Sequence, residues 1–187
     1  IMLRAISFLL LPIYTNVFTK EEFGIYTLIF IFIAFAQFLY SYGMDASLMK
    51  FFSISENKKE IYTSIFVSLL VTSSIFSIII SCFSDFISIL FLENVNYGYL
   101  FKIAAIILFF DSFSFRVLII HRMEDSPYKY FIFSFVNVLV TFLANYYFII
   151  ILNIGIAGAF YAHLFGSISI FLLSLPIIFN RVSIQSF

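Results

Sequence analysis

The sequence predicts an all-α membrane protein, a bundle of six transmembrane helices, and three observations point to it. Six long apolar runs, separated by short polar gaps, take up almost all of the 187 residues. The composition is 63% hydrophobic and 11% charged, against about 25% charged in an ordinary globular domain, and the mean hydropathy is +1.11. The third observation is solid apolar stretches such as residues 103–110. Membrane-barrel strands would instead alternate polar and apolar residues.

The predicted helices run over residues 1–18, 25–44, 61–83, 101–120, 131–152 and 156–179. Each is close to the roughly 20 residues that a helix needs to cross about 30 Å of hydrocarbon. Pro12 lies inside the first helix, where it removes a backbone donor and is expected to bend the chain near Phe8. Residues 45–60 and 84–100 are the longest linkers. The second holds the apolar segment 86–92, too short to span, which reads as an extension of the third helix or an interfacial turn. The chain opens inside an apolar run with no charged leader, so the sequence reads as one six-helix lobe, residues 1–187, of a longer protein.

Cations orient these helices. If the first runs from inside to outside, the inner side receives Arg4, Lys50, Lys58, Lys59, Arg122, Lys129 and Arg181, and the outer side only Lys20 and Lys102. That bias places both ends of the chain toward the cytoplasm. The sequence has no Trp, so an aromatic belt has to be Tyr. Tyr40, Tyr42, Tyr62, Tyr97, Tyr99, Tyr128 and Tyr130 all fall at run ends, as a belt requires. A formal net charge of zero gives no footprint for a nucleic-acid partner. The single cysteine, Cys82, excludes an internal disulfide and reads as a small buried hydrophobe, with no metal or other cofactor implied.

Polar residues within the runs are the candidate functional groups. Asp111, near the middle of the fourth helix, is the most expensive of them: an ionised Asp there costs about 3 kcal/mol and has to face a cavity or a partner. Arg116 follows five positions later, about 140° around the helix, which sets it off the face of Asp111. Arg116 reads either as a snorkelling anchor or as a substrate contact, and Arg4 carries the same ambiguity. On the fifth helix Ser134, Asn137, Thr141 and Asn145 form one stripe, which either lines a wet path or bonds to a neighbouring helix. Gly158, Ala162 and Gly166 make a small-residue ridge on the sixth helix, with His163 beside it as a hydrogen-bonded packing residue, and Ser64, Ser68 and Thr72 make a similar ridge on the third. His121, Glu124 and Asp125 gather after the fourth helix, but with Arg122, Ser126, Pro127 and Lys129 they read as a charged turn rather than a catalytic cluster. The sequence therefore reads as a non-enzyme.

One stretch carries a family resemblance. Residues 4–15, with Arg4, Leu11, Pro12, Tyr14 and Thr15, lead into an acidic turn, Glu21 and Glu22, that closes on Phe23 and Gly24. Gly43, Ala46, Lys50 and Phe51 follow the second helix, residues 121–125 form a basic turn, and Gly155 to Ala159 open the sixth helix. The whole resembles the polysaccharide-biosynthesis membrane proteins, flippases for lipid-linked oligosaccharides in the same superfamily as the MATE multidrug exporters. Asn16 departs from the pattern, which usually has Arg there. The resemblance implies one lobe of a two-lobe transporter in a prokaryotic cytoplasmic membrane, working by alternating access. It implies as partners the bilayer, an undecaprenyl-diphosphate-type glycan, the second lobe, and polymerases or glycosyltransferases of the same pathway. Arg4 and Arg116 would then meet the diphosphate, Asp111 would tune them or couple an ion, and Asn137 and Asn145 would meet sugar hydroxyls. Two alternatives stay open. One is a MATE-type drug or ion antiporter, disfavoured because no carboxylate lies in the first two helices before Asp45; the other is a non-transporting scaffold.

Overall fold

The computed structural model describes residues 2–54, 58–124 and 126–181, without the side chains of residues 2–9, 53–54, 58 and 180–181. It is helical throughout, with no strand among the described residues. The long helices are α1 (Met2–Val17), α2 (Lys20–Ser41), α4 (Lys58–Cys82), α6 (Gly98–Met123), α7 (Pro127–Asn145) and α8 (Ile156–Arg181), and α7 continues through a π-helical turn at Tyr146–Ile151. Two shorter helices, α3 (Met44–Ile54) and α5 (Ser84–Leu92), join α2 to α4 and α4 to α6. Five segments are long and apolar enough to cross a bilayer: Lys20–Ser41, Lys59–Cys82, Val95–Met123, Pro127–Ile151 and Ile156–Phe179. With 16 described residues, α1 is shorter than a full crossing.

Local chemistry explains several boundaries. The acidic turn before α2 is a capping box: Thr19 Oγ1 accepts the Glu22 backbone N–H at 3.2 Å, and Glu22 Oε2 accepts the Thr19 backbone N–H at 2.8 Å. Gly43, at φ +81°, sits in the left-handed region that reverses the chain between α2 and α3. Gly155, at φ +69°, makes the corresponding reversal before α8. Pro127 opens α7, where its missing N–H has no helical partner to lose.

At the centre stands α6, which packs against α2, α4, α5, α7 and α8, while α1 lies on α7. Its spanning segment is 67% buried inside the protein, against 22–28% for the other four, so they present much of their surface to lipid and α6 does not. The first half of α6, with Leu100, Ala104 and Leu108, joins a core built from α1, α2 and the start of α8. Its second half, with Phe113, Val117 and Ile120, joins a second core built from α3 and α4. Asp111, Ser112 and Ser114 fall where the two cores meet. A hydrogen-bond chain ties three helices in the first half: Tyr40 Oη lies 2.9 Å from Ser77 Oγ, and Ser77 Oγ donates to the Ala105 carbonyl at 3.0 Å.

Several expectations are corrected. Residues 44–54 of the supposed inner linker form α3, and residues 55–57 lie outside the described residues. The apolar segment 86–92 belongs to α5, a helix separate from α4 that packs on α6, and its fully buried Ser88 donates to the carbonyl of Asn94 in the connection that follows, at 2.5 Å. On α4 the buried face is Tyr62, Phe66, Leu69 and Ser73, so the ridge of Ser64, Ser68 and Thr72 is not the one that packs. Ser64 is exposed, and Ser68 Oγ instead lies 2.8 Å from Tyr42 Oη. Tyr40 and Tyr62 turn inward, 1% and 3% exposed, and leave the expected belt. Cys82 is exposed rather than buried.

The ridge of α8 does pack. A side chain on Gly166 would collide with Thr141 Oγ1 of α7, and one on Gly158 would press on Phe148 and Ile149. Without a Cβ at these positions the two helices approach closely, which is how membrane helices gain contact energy when lipid is as apolar as the protein.

Candidate functional site

The intramembrane polar residues sort into three groups. In the first, Arg116 is fully buried on α6. Its Nη1 donates to the Ser112 carbonyl at 3.0 Å, and its Nε lies 3.1 Å from Asp45 Oδ1 at the start of α3. The two groups pair by charge, without the alignment of a hydrogen bond, and Nη2 has no hydrogen-bond partner. A guanidinium held this way is not a snorkelling anchor, because snorkelling requires the head group to reach water. Asp45, by contrast, has a half-exposed side chain. The sequence reading missed Asp45 because it lies on a segment taken for a linker.

In the second group, Asp111 Oδ2 lies 3.5 Å from His163 Nε2 across the α6–α8 boundary. The pair opens on a cavity of about 60 Å³, lined also by Ser114, Ser134, Asn137 and Ile170. Ser134 is 4% exposed, and its Oγ has no hydrogen-bond partner. The edge of His163 meets the ring of Phe30 on α2, with centroids 5.5 Å apart. A signal for this partner existed in the sequence. An ionised Asp in hydrocarbon needs a cation; Arg116 is off its face, and His163 is a basic group well inside another run.

In the third group, Asn145 joins α7 to α1. Its Oδ1 accepts the Tyr14 hydroxyl at 2.7 Å, and its Nδ2 donates to the Thr141 carbonyl at 2.8 Å. Both Tyr14 and Asn145 are buried, and Tyr14 stacks on Phe18 with centroids 5.3 Å apart. The polar stripe of α7 therefore divides. Asn145 makes a helix joint, while Ser134 and Asn137 face the cavity.

Of the five candidate residues, the structure brings Asp111 and Asn137 to one cavity and keeps Arg116 and Asn145 apart from it and from each other. The side chain of Arg4 lies outside the described residues, and so does Asp125 of the supposed charged turn. His121 is buried with its ring edge on Phe133, and Glu124 Oε1 accepts the Tyr62 hydroxyl at 3.3 Å. Those contacts hold the α6–α7 turn against α4 and α7. Among the described residues, no three His, Cys, Asp or Glu side chains come together as a metal site.

At the opposite end, Lys20, Glu21 and Gly24 of α2 face Leu92, Glu93, Asn94 and Tyr97 across an open cleft. It lies between the capping box and the αL residue Glu93, which ends α5 at φ 52°.

Searches of curated proteins and of solved structures return no significant match. The sequence does match a protein family, described as Polysaccharide biosynthesis protein, over residues 1–187. The apolar helices that make this a multi-pass membrane protein and the match along the whole chain agree: it belongs to the polysaccharide biosynthesis protein family, with the flippase-type transport role that membership carries.

Proposed function

We propose that the protein moves a lipid-linked oligosaccharide with a diphosphate link across the cytoplasmic membrane, as one lobe of a two-lobe transporter that alternates its access. The observation that carries this reading is the family match over residues 1–187. The diphosphate is the part of such a substrate that hydrocarbon rejects most strongly, and guanidinium groups suit it because they bind phosphate in a bidentate way. Arg4 and Arg116 are the proposed contacts. For Arg116 the role requires that α3 move, because Asp45 occupies the approach to its Nε. Asn137 stays a candidate for sugar hydroxyls, although its cavity of about 60 Å³ has room for about two waters and not for a sugar ring, so it would have to widen first. Asn145 becomes such a contact only if its bond to Tyr14 opens. Under this reading, both ends of the chain face the cytoplasm, following the cation bias, and a second helical lobe completes the substrate path.

Deletion of the full-length gene tests the reading. The expected result is accumulation of lipid-linked glycan on the cytoplasmic side together with loss of surface polysaccharide. An unchanged glycan profile with new sensitivity to cationic drugs would replace the proposal with an antiporter.

A further inference from the structure

Asp111 and His163 sit at the junction of the two cores, where α6, α7 and α8 leave a cavity. Asp111 is 14% exposed and His163 36%, so the carboxylate is nearly enclosed while the imidazole keeps access to the outside of the fold. The polar surroundings are Ser114 on α6 and Ser134 and Asn137 on α7. Packed against His163 from α2 is Phe30, an apolar ring. Ser114 already donates to the Phe110 carbonyl at 3.0 Å. Ser134 does not share that fate: its hydroxyl is buried without a partner and borders the cavity, which is the mark of a site that holds water. Among the described residues that line the cavity, Asp111 and His163 are the titratable ones.

A metal cation fits this set poorly. It would have one carboxylate, an amide and hydroxyls for ligands, with an imidazole nitrogen already 3.5 Å from that carboxylate. A proton fits it well, because a proton on His163 converts an unbalanced buried anion into a neutral pair.

We propose that Asp111 and His163 form a proton-binding site inside the bundle, loaded and emptied through the water of the adjoining cavity. In the loaded state the proton rests on His163 Nε2, which donates to Asp111 Oδ2; the pair carries no net charge and joins α6 to α8. In the emptied state the proton passes from Nε2 to a cavity water and on to solvent, leaving a neutral imidazole and an Asp111 carboxylate solvated by cavity water. The charge of the buried pair thus changes by one, and the electrostatic joint between two helices is made or broken with it. The site needs no transported substrate, so its failure would leave the proposed transport standing, and a glycan profile unchanged by gene deletion would leave the site standing.

Residues 1–187 hold two histidines, His121 and His163, and the signals lost in a His→Gln variant identify each of them in the full-length protein. The full-length protein is labelled with ¹⁵N-histidine and held in lipid nanodiscs, and the ring-nitrogen signals are followed against pH. His163→Gln assigns one set, while unchanged His121 signals report that each variant folds. The expected result is a His163 ring that takes up and releases a proton reversibly, with a response to pH that differs between the wild type and Asp111→Asn. Exchange of sodium for choline at fixed ionic strength should leave the midpoint in place. A midpoint shared by the wild type and Asp111→Asn would overturn the proposal, and one that follows sodium would make the cavity a metal-cation site instead. If Asp111→Asn does not fold, the wild type decides alone: a His163 ring that stays neutral across the whole range would also sink the idea.

Discussion

Arg116 and Asp111 are both ionisable residues on α6, and the bundle treats them in opposite ways. Arg116 is fully enclosed, bonded to the carbonyl of its own helix and paired with Asp45 of a neighbouring one. Asp111 faces a half-open imidazole beside a cavity that contains an unsatisfied hydroxyl. An enclosed charge is costly to unpair, because its partner or itself must then sit in a medium that solvates it badly. A charge at a cavity edge can exchange partners with water. The first arrangement suits a joint of the fold and the second a group that changes state, so one helix carries both kinds within about one and a half turns.

The largest test of that comparison is stability. Arg116→Ala removes the ion pair and the bond to the Ser112 carbonyl and leaves a void at a fully buried position, which should cost about 3 kcal/mol. Asp111→Asn should cost under about 1 kcal/mol, since its pair is partly exposed. Thermal unfolding in one detergent measures both, and equal losses would break the distinction between the two residues.

Next in size is the α7–α8 seam. Gly166→Ala forces a methyl group onto Thr141 Oγ1 and should cost about 2 kcal/mol. Adding Thr141→Ala removes the colliding atom and should recover most of that loss. If the double variant is as unstable as the two single effects summed, the close approach is not what Gly166 provides.

A smaller effect is expected at the α1–α7 joint. Tyr14→Phe deletes the bond to Asn145 but keeps the ring against Phe18 and Tyr26, for a loss of about 1 kcal/mol. A change too small to measure would mean that Asn145 finds another donor, which would reopen it as a cavity residue. The smallest effect belongs to Ser64→Ala on the exposed face of α4, expected within about 0.5 kcal/mol of wild type. A substantial loss there would restore the ridge of Ser64, Ser68 and Thr72 as a packing face.

The placement of the long helices was legible in one dimension. Hydrocarbon thickness imposes a length and an apolar composition on each run separately, so residues 25–44 or 156–179 announce a crossing without reference to the rest of the chain. The tight seam at Gly158, Ala162 and Gly166 was legible for a similar reason, since a small-residue ridge is a property of one helix. Smaller features with a local code were readable in principle and still passed over. The Thr19–Glu22 capping box is one, and α3 is another, hidden because its sequence mixes Asp45 and Lys50 with apolar residues and so looks like a linker.

Partner choice among the polar residues is a different matter. Asn145 and Tyr14 stand 131 positions apart, and nothing in either segment says that they meet. Asn137 and Asn145 share a helical stripe, yet one borders a cavity and the other closes a joint, because α8 covers one part of α7 and α1 another. The rotation of each helix about its axis and the neighbour it leans on are set by packing summed over the whole bundle. A residue's periodicity can say which residues share its face. It cannot say what that face will touch, and for Asp45, Asp111, Arg116 and His163 that contact is what gives each its chemistry.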